Sequence, residues 1–60
     1  MLTPEQLAIA TKKMCELCGW ENRLGDAYTA RQMILGNLSR LKPAWEKNAE
    51  TAIKFAKEPT

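Results

Sequence analysis

The sequence predicts an all-α fold, a helical hairpin or three-helix mini-bundle that pairs with a second copy into a larger bundle. Three observations carry this. Apolar residues recur at three- and four-residue spacing in three stretches that fill most of the 60 residues. The stretches are bounded by residues that start or stop helices. The middle stretch is apolar around most of its circumference, more than one neighbour in a hairpin can cover. The expected helices cover residues 4–18, 26–42 and 43–57 of a single domain spanning 1–60.

The first helix has the clearest start. In Thr3-Pro4-Glu5-Gln6, the threonine side chain can accept from the Gln6 amide while Gln6 reaches back to the Thr3 amide. Proline suits the first helical position because its missing N–H has no intrahelical partner there. Placed at about 100° per residue, Leu7, Ala10, Thr11, Met14, Leu17 and Cys18 form one stripe, and Gly19 is the stop. Ile9 falls nearly opposite that stripe, a single exposed apolar residue of a common kind.

Residues 19–25 have the composition of a turn, with Trp20, Asn22 and Arg23 among them. Asp26 is the expected N-cap of the second helix. Its main stripe is Ala27, Ala30, Arg31, Ile34, Leu38 and Leu41, widened by Tyr28 and Leu35 on one side and Met33 on the other. Pro43 then breaks or kinks the chain and suits the first turn of a third helix. Two geometries stay open: a separate third helix, or one long helix over 26–57 kinked near Pro43. The third stripe is Trp45, Ala49, Ala52 and Ala56, flanked by Ile53 and Phe55. Glu50 and Lys54 stand in the favourable i,i+4 order outside it, and Pro59 ends the segment.

Composition limits function. Hydrophobic residues make up 45% and charged residues 27%, ordinary for a folded domain. Nine basic and seven acidic residues give a net charge of +2, too mild for an electrostatic footprint on nucleic acid or membrane. No apolar run approaches the ~20 residues of a membrane span, and the N-terminus lacks signal-peptide order, so a cytoplasmic location is expected. There is no histidine, no glycine-rich phosphate loop and no pair of acids in an apolar setting. We therefore expect no catalytic residues and no cofactor.

The chemistry-bearing motif is Cys15-Glu16-Leu17-Cys18, a CxxC. Dithiol enzymes set this motif at a helix N-terminus, where the dipole favours thiolate. Here it falls at a C-terminal end, where the dipole opposes it. Zinc needs four ligands in a structural site, so a metal would have to be shared between two copies. The expectation is packing, with Cys18 on the apolar stripe and Cys15 at its edge; a zinc-bridged dimer through both is the alternative.

Nucleic acid is a second alternative, through Arg31, Arg40, Lys42 and Lys47. A helix-turn-helix needs a tight 3–4-residue turn, and Gly36 lies too far before Pro43 to supply it. What remains is protein contact. We expect Met33, Leu35, Leu38 and Leu41 to form a homodimer interface. Trp20 and Tyr28 are the expected partner-facing anchors, large aromatic residues of the type enriched at interfaces, while Trp45 belongs to the core.

A chain of this size, with capped helices and the opening Met1-Leu2-Thr3-Pro4-Glu5-Gln6, resembles the small early-region accessory proteins of lambda-like bacteriophages. The resemblance rests on size and helical layout. It implies an early regulatory protein that binds host or phage proteins in the host cytoplasm and modulates host factors or the lytic–lysogenic decision. It assigns no residue a role.

Overall fold

Helix α1 spans Pro4–Cys18, α2 Leu24–Leu35 and α3 Pro43–Lys57 in a computed structural model that describes residues 2–21, 24–38 and 41–58. The fold is all-α, a mini-bundle of three helices. α1 packs extensively against both α2 and α3, which meet each other much less.

The start of α1 is built as the sequence predicts. The Gln6 amide donates to Thr3 Oγ1 and the Thr3 amide to Gln6 Oε1, each at 3.0 Å. Its end is equally well defined. Gly19 adopts φ 73°, the Gly19 amide donates to the Glu16 carbonyl and the Trp20 amide to that of Cys15. This pair of bonds is the Schellman arrangement, and it needs a left-handed residue that glycine supplies without a Cβ penalty.

The second helix departs from expectation at both ends. It starts at Leu24, so Asp26 lies in its first turn rather than capping it. It stops at Leu35, not at Lys42, which removes the long kinked helix over 26–57. The reason is a second Schellman end: Gly36 has φ 75°, its amide donates to Met33 and that of Asn37 to Gln32. The apolar spacing of Leu35, Leu38 and Leu41 continues past this stop without a helix beneath it. α3 then begins at Pro43 as a separate element. Its other expected terminator, Pro59, lies outside the described residues.

The core is Ala10, Met14 and Cys15 from α1, Ala30, Met33 and Ile34 from α2, and Ala49, Ala52 and Ala56 from α3. Among the described residues it holds no polar side chain. α3 contributes alanines, with Trp45 and Ile53 half-buried at their margin; small side chains let its backbone approach α1 closely. Asn48 Nδ2 reaches the Leu17 carbonyl at 3.5 Å and Lys13 Nζ stands 4.7 Å from the Phe55 ring centre, so α3 runs opposite to α1. Phe55, expected beside the third stripe, is exposed. Glu50 and Lys54 do not close an ion pair; on α1, Lys13 and Glu16 do, at 3.7 Å, a surface contact worth at most about 1 kcal/mol.

The radius of gyration is 10.3 Å, against about 10 Å for a compact single chain of this length. The helices therefore close on one another within one copy, with no long arm overhanging the others.

Candidate functional site

The structure divides the residues expected to form a dimer interface. Met33, at 3% exposure, lies in the monomer's own core, and Leu41 is half-buried against it. Met33 faces inward because it follows Ala30 by three residues on the side of α2 that meets the bundle. Leu35 and Leu38 remain at the surface, 45% and 41% exposed.

The aromatic residues divide in the same way. Tyr28 is 64% exposed on α2. Trp20 is not a free anchor. Its ring meets that of Trp45 edge-to-face, with centroids 6.0 Å apart and planes at 73°. Such a pair contributes about 0.5–1.5 kcal/mol beyond its burial. Lys42 Nζ lies 5.0 Å from the centre of the Trp45 ring, adding a cation–π contact. These three residues link the end of α1 to the start of α3, which explains why Trp20 is drawn inward.

The two cysteines reverse their expected places. Cys15 is fully buried and Cys18 only partly. α1 is covered from two sides, so its buried arc is wider than the single stripe read from the sequence, and Cys15 lies within it. Burial foremost, then the nearby Asp26 and Cys18 charges, pushes the Cys15 thiol above its ordinary value of 9.0. A thiol held neutral and out of water is a poor metal ligand and a poor nucleophile. Cys18 Sγ accepts a long 3.7 Å contact from Asn48 Nδ2. No cluster of three or more histidine, cysteine or acidic side chains occurs among the described residues.

Of the basic residues considered for nucleic acid, Arg31, Lys42 and Lys47 are exposed, and Arg40 lies outside the described residues. Lys42 is engaged with Trp45, as above. The connection from 36 to 42 is seven residues long, about twice the turn of a helix-turn-helix.

One surface feature was not foreseen. An open groove of about 520 Å³ runs between α1 and α2, with Leu7, Ala8 and Ala27 along it, Tyr28 as a wall, and Lys12 and Arg31 at its edges. Thr11 also lines it, but its hydroxyl donates to the Leu7 carbonyl at 2.7 Å, so its polar atom is already satisfied. The signal was Ala8, a small residue beside the apolar stripe of α1; set against Ala27, it leaves a trough instead of a contact. Among the described residues no helix is long and apolar enough to cross a membrane. The chain matches no family model, and neither a curated protein nor a solved structure is significantly similar to it.

Proposed function

We propose that this chain is a non-enzymatic adaptor that acts through protein contacts and self-associates through Leu35 and Leu38. The observation that carries the reading is the surplus on and just beyond α2. After Ala30, Met33 and Ile34 have entered the core, Leu35 and Leu38 still stand 45% and 41% exposed. Leu41 is half-buried against the core and Met33 buried within it, so both are withdrawn from the interface proposed from the sequence.

The size of the patch sets the strength of the pairing. Covering the remaining surface of four part-exposed leucines, two from each copy, contributes roughly 4 kcal/mol. Lost translational and rotational freedom opposes association by at least as much, so the leucines leave little net affinity. The dimer is therefore weak and concentration-dependent. In this reading the protein is a regulator of other proteins in a host cytoplasm, the role that its likeness to phage early accessory proteins implies.

Sedimentation equilibrium tests the pairing. The wild-type mass should begin to rise above that of the monomer only as the protein approaches about 1 mM. The double variant Leu35→Glu/Leu38→Glu should stay monomeric with unchanged helicity by circular dichroism, because both side chains are already exposed. A wild-type chain that remains monomeric throughout, or a variant that still dimerises, would overturn the interface.

A further inference from the structure

We infer that the α1–α2 groove is a docking site for an acidic amphipathic helix of a partner protein. This rests on the protein-contact reading but uses a different surface from Leu35 and Leu38, so either can fail without the other. The argument starts from the groove's floor. Leu7, Ala8 and Ala27 line it with carbon, and the Thr11 hydroxyl is turned to a backbone carbonyl. A trough of this kind accepts apolar side chains recurring at i, i+3 or i+4 and i+7 along one face of a helix. Tyr28, 64% exposed, offers a large flat wall with few rotatable bonds, an inexpensive side chain to immobilise.

Charge then selects the flanks of the occupant. The charged residues lining the groove are Lys12 from α1 and Arg31 from α2, with no carboxylate among them. Glu5, elsewhere on α1, does not line it. Neither cation has an ion-pair partner among the described residues, whereas Lys13 is held by Glu16 and Phe55, and Lys42 by Trp45. The other surface hollows differ. The one around Ile53 mixes Glu50 and Glu58 with Lys54 and Lys57, and the one between Ile9 and Phe55 shares Lys12 but adds Lys13 and Glu16. An apolar trough edged by two cations that have no ion-pair partner among the described residues favours an apolar stripe flanked by aspartate or glutamate, and disfavours a basic helix. Two cations over a carbon floor are a poor match for nucleic acid, whose binding draws on many phosphate contacts.

The test uses the full chain and a displayed library of helices about 15 residues long, or about four turns. Each carries a fixed leucine stripe, with its flanking positions open to Asp, Glu, Lys or Gln. Selection should enrich acids at the flanks. A recovered peptide should bind at least about tenfold more tightly than its copy with lysine in place of glutamate. Its binding should shift the backbone amide resonances of Leu7, Ala8, Ala27 and Tyr28. The double variant Lys12→Glu/Arg31→Glu, altered only at exposed positions, should lose the acidic peptide and accept the lysine copy. The Leu35→Glu/Leu38→Glu variant should bind the acidic peptide as the wild type does. Selection of neutral or basic flanks, resonance shifts confined to Leu35 and Leu38, or unchanged acidic binding after charge reversal would each overturn the proposal.

Discussion

Helices α1 and α2 handle their apolar residues differently. α1 is covered by α2 on one side and α3 on the other, so Ala10, Met14 and Cys15 are fully buried and Leu7 and Cys18 half-buried, while Ile9 and Leu17, the latter expected on the buried stripe, stay exposed. α2 meets mainly α1. It sends Ala30, Met33 and Ile34 inward and leaves Tyr28 and Leu35 exposed, with Leu38 beyond its end. The lesson is that the number of neighbours a helix receives, and not its apolar pattern alone, decides which of its side chains are buried. α1 is the hub of the core, and α2 provides both its third side and the surface available for contact.

The sharpest way to break this comparison is to cut one side chain from each face. Met14 is the largest side chain fully buried in the core, and Met14→Ala should cost about 2–5 kcal/mol through lost transfer energy and the cavity left behind. A domain of this size has only about 3–5 kcal/mol to lose, so the variant should be substantially unfolded at 25 °C by circular dichroism. Leu35→Ala, measured at micromolar protein where the chain is monomeric, should change stability by no more than about 0.5 kcal/mol. Equal losses at the two positions would mean that the outer side of α2 is covered after all.

A middle-sized effect concerns the helix ends. Gly19 and Gly36 both hold left-handed backbone, and a Cβ at either would meet nothing within 4 Å. The cost of alanine is then conformational alone, about 1–2 kcal/mol at each position, read from urea denaturation. The two should lose similar amounts. If Gly36→Ala instead gained helicity and stability, α2 would be able to run on toward Lys42, and its surface leucines would belong to a longer helix.

The smallest effect lies in the thiols. The folded state holds the Cys15 proton more tightly than the unfolded chain does. Its contribution to stability is therefore complete below the ordinary thiol value of 9.0 and is lost as pH climbs through that value toward the raised one. Wild-type protein should lose stability above this pH more steeply than Cys15→Ala, a comparison in which the lysines titrate alike. At pH 8 a thiol reagent should label Cys18 first, with Cys15 waiting for the helices to open. Simultaneous labelling would place both cysteines at the surface.

How much of this was legible depended on how local the cause was. Thr3, Gln6 and Gly19 define α1 through neighbours within four residues, and Pro43 opens α3 for a reason intrinsic to its own ring. Gly36 carried the same stop signal as Gly19, and the apolar spacing that continues through Leu38 and Leu41 masked it. Trp20 could not be placed from its own segment, because what draws it inward is Trp45, 25 positions further along. The groove was invisible for a related reason. Lys12 reads as part of α1's solvated back, and only the approach of α2 brings it opposite Arg31.

The sequence by itself determined the helical class, both ends of α1, a break or kink at Pro43 and the presence of more apolar surface than a two-helix hairpin can bury. Those follow from capping chemistry, proline geometry and a 3.6-residue period, all fixed within a turn or two of chain. Tertiary structure alone decided that Met33 and Cys15 lie inside, that Trp20 stacks on Trp45, and that Leu35, Leu38, Tyr28 and the cation-edged groove stay outside. Whether a side chain is buried depends on which helix covers it and from what angle, and a periodic stripe carries no record of either.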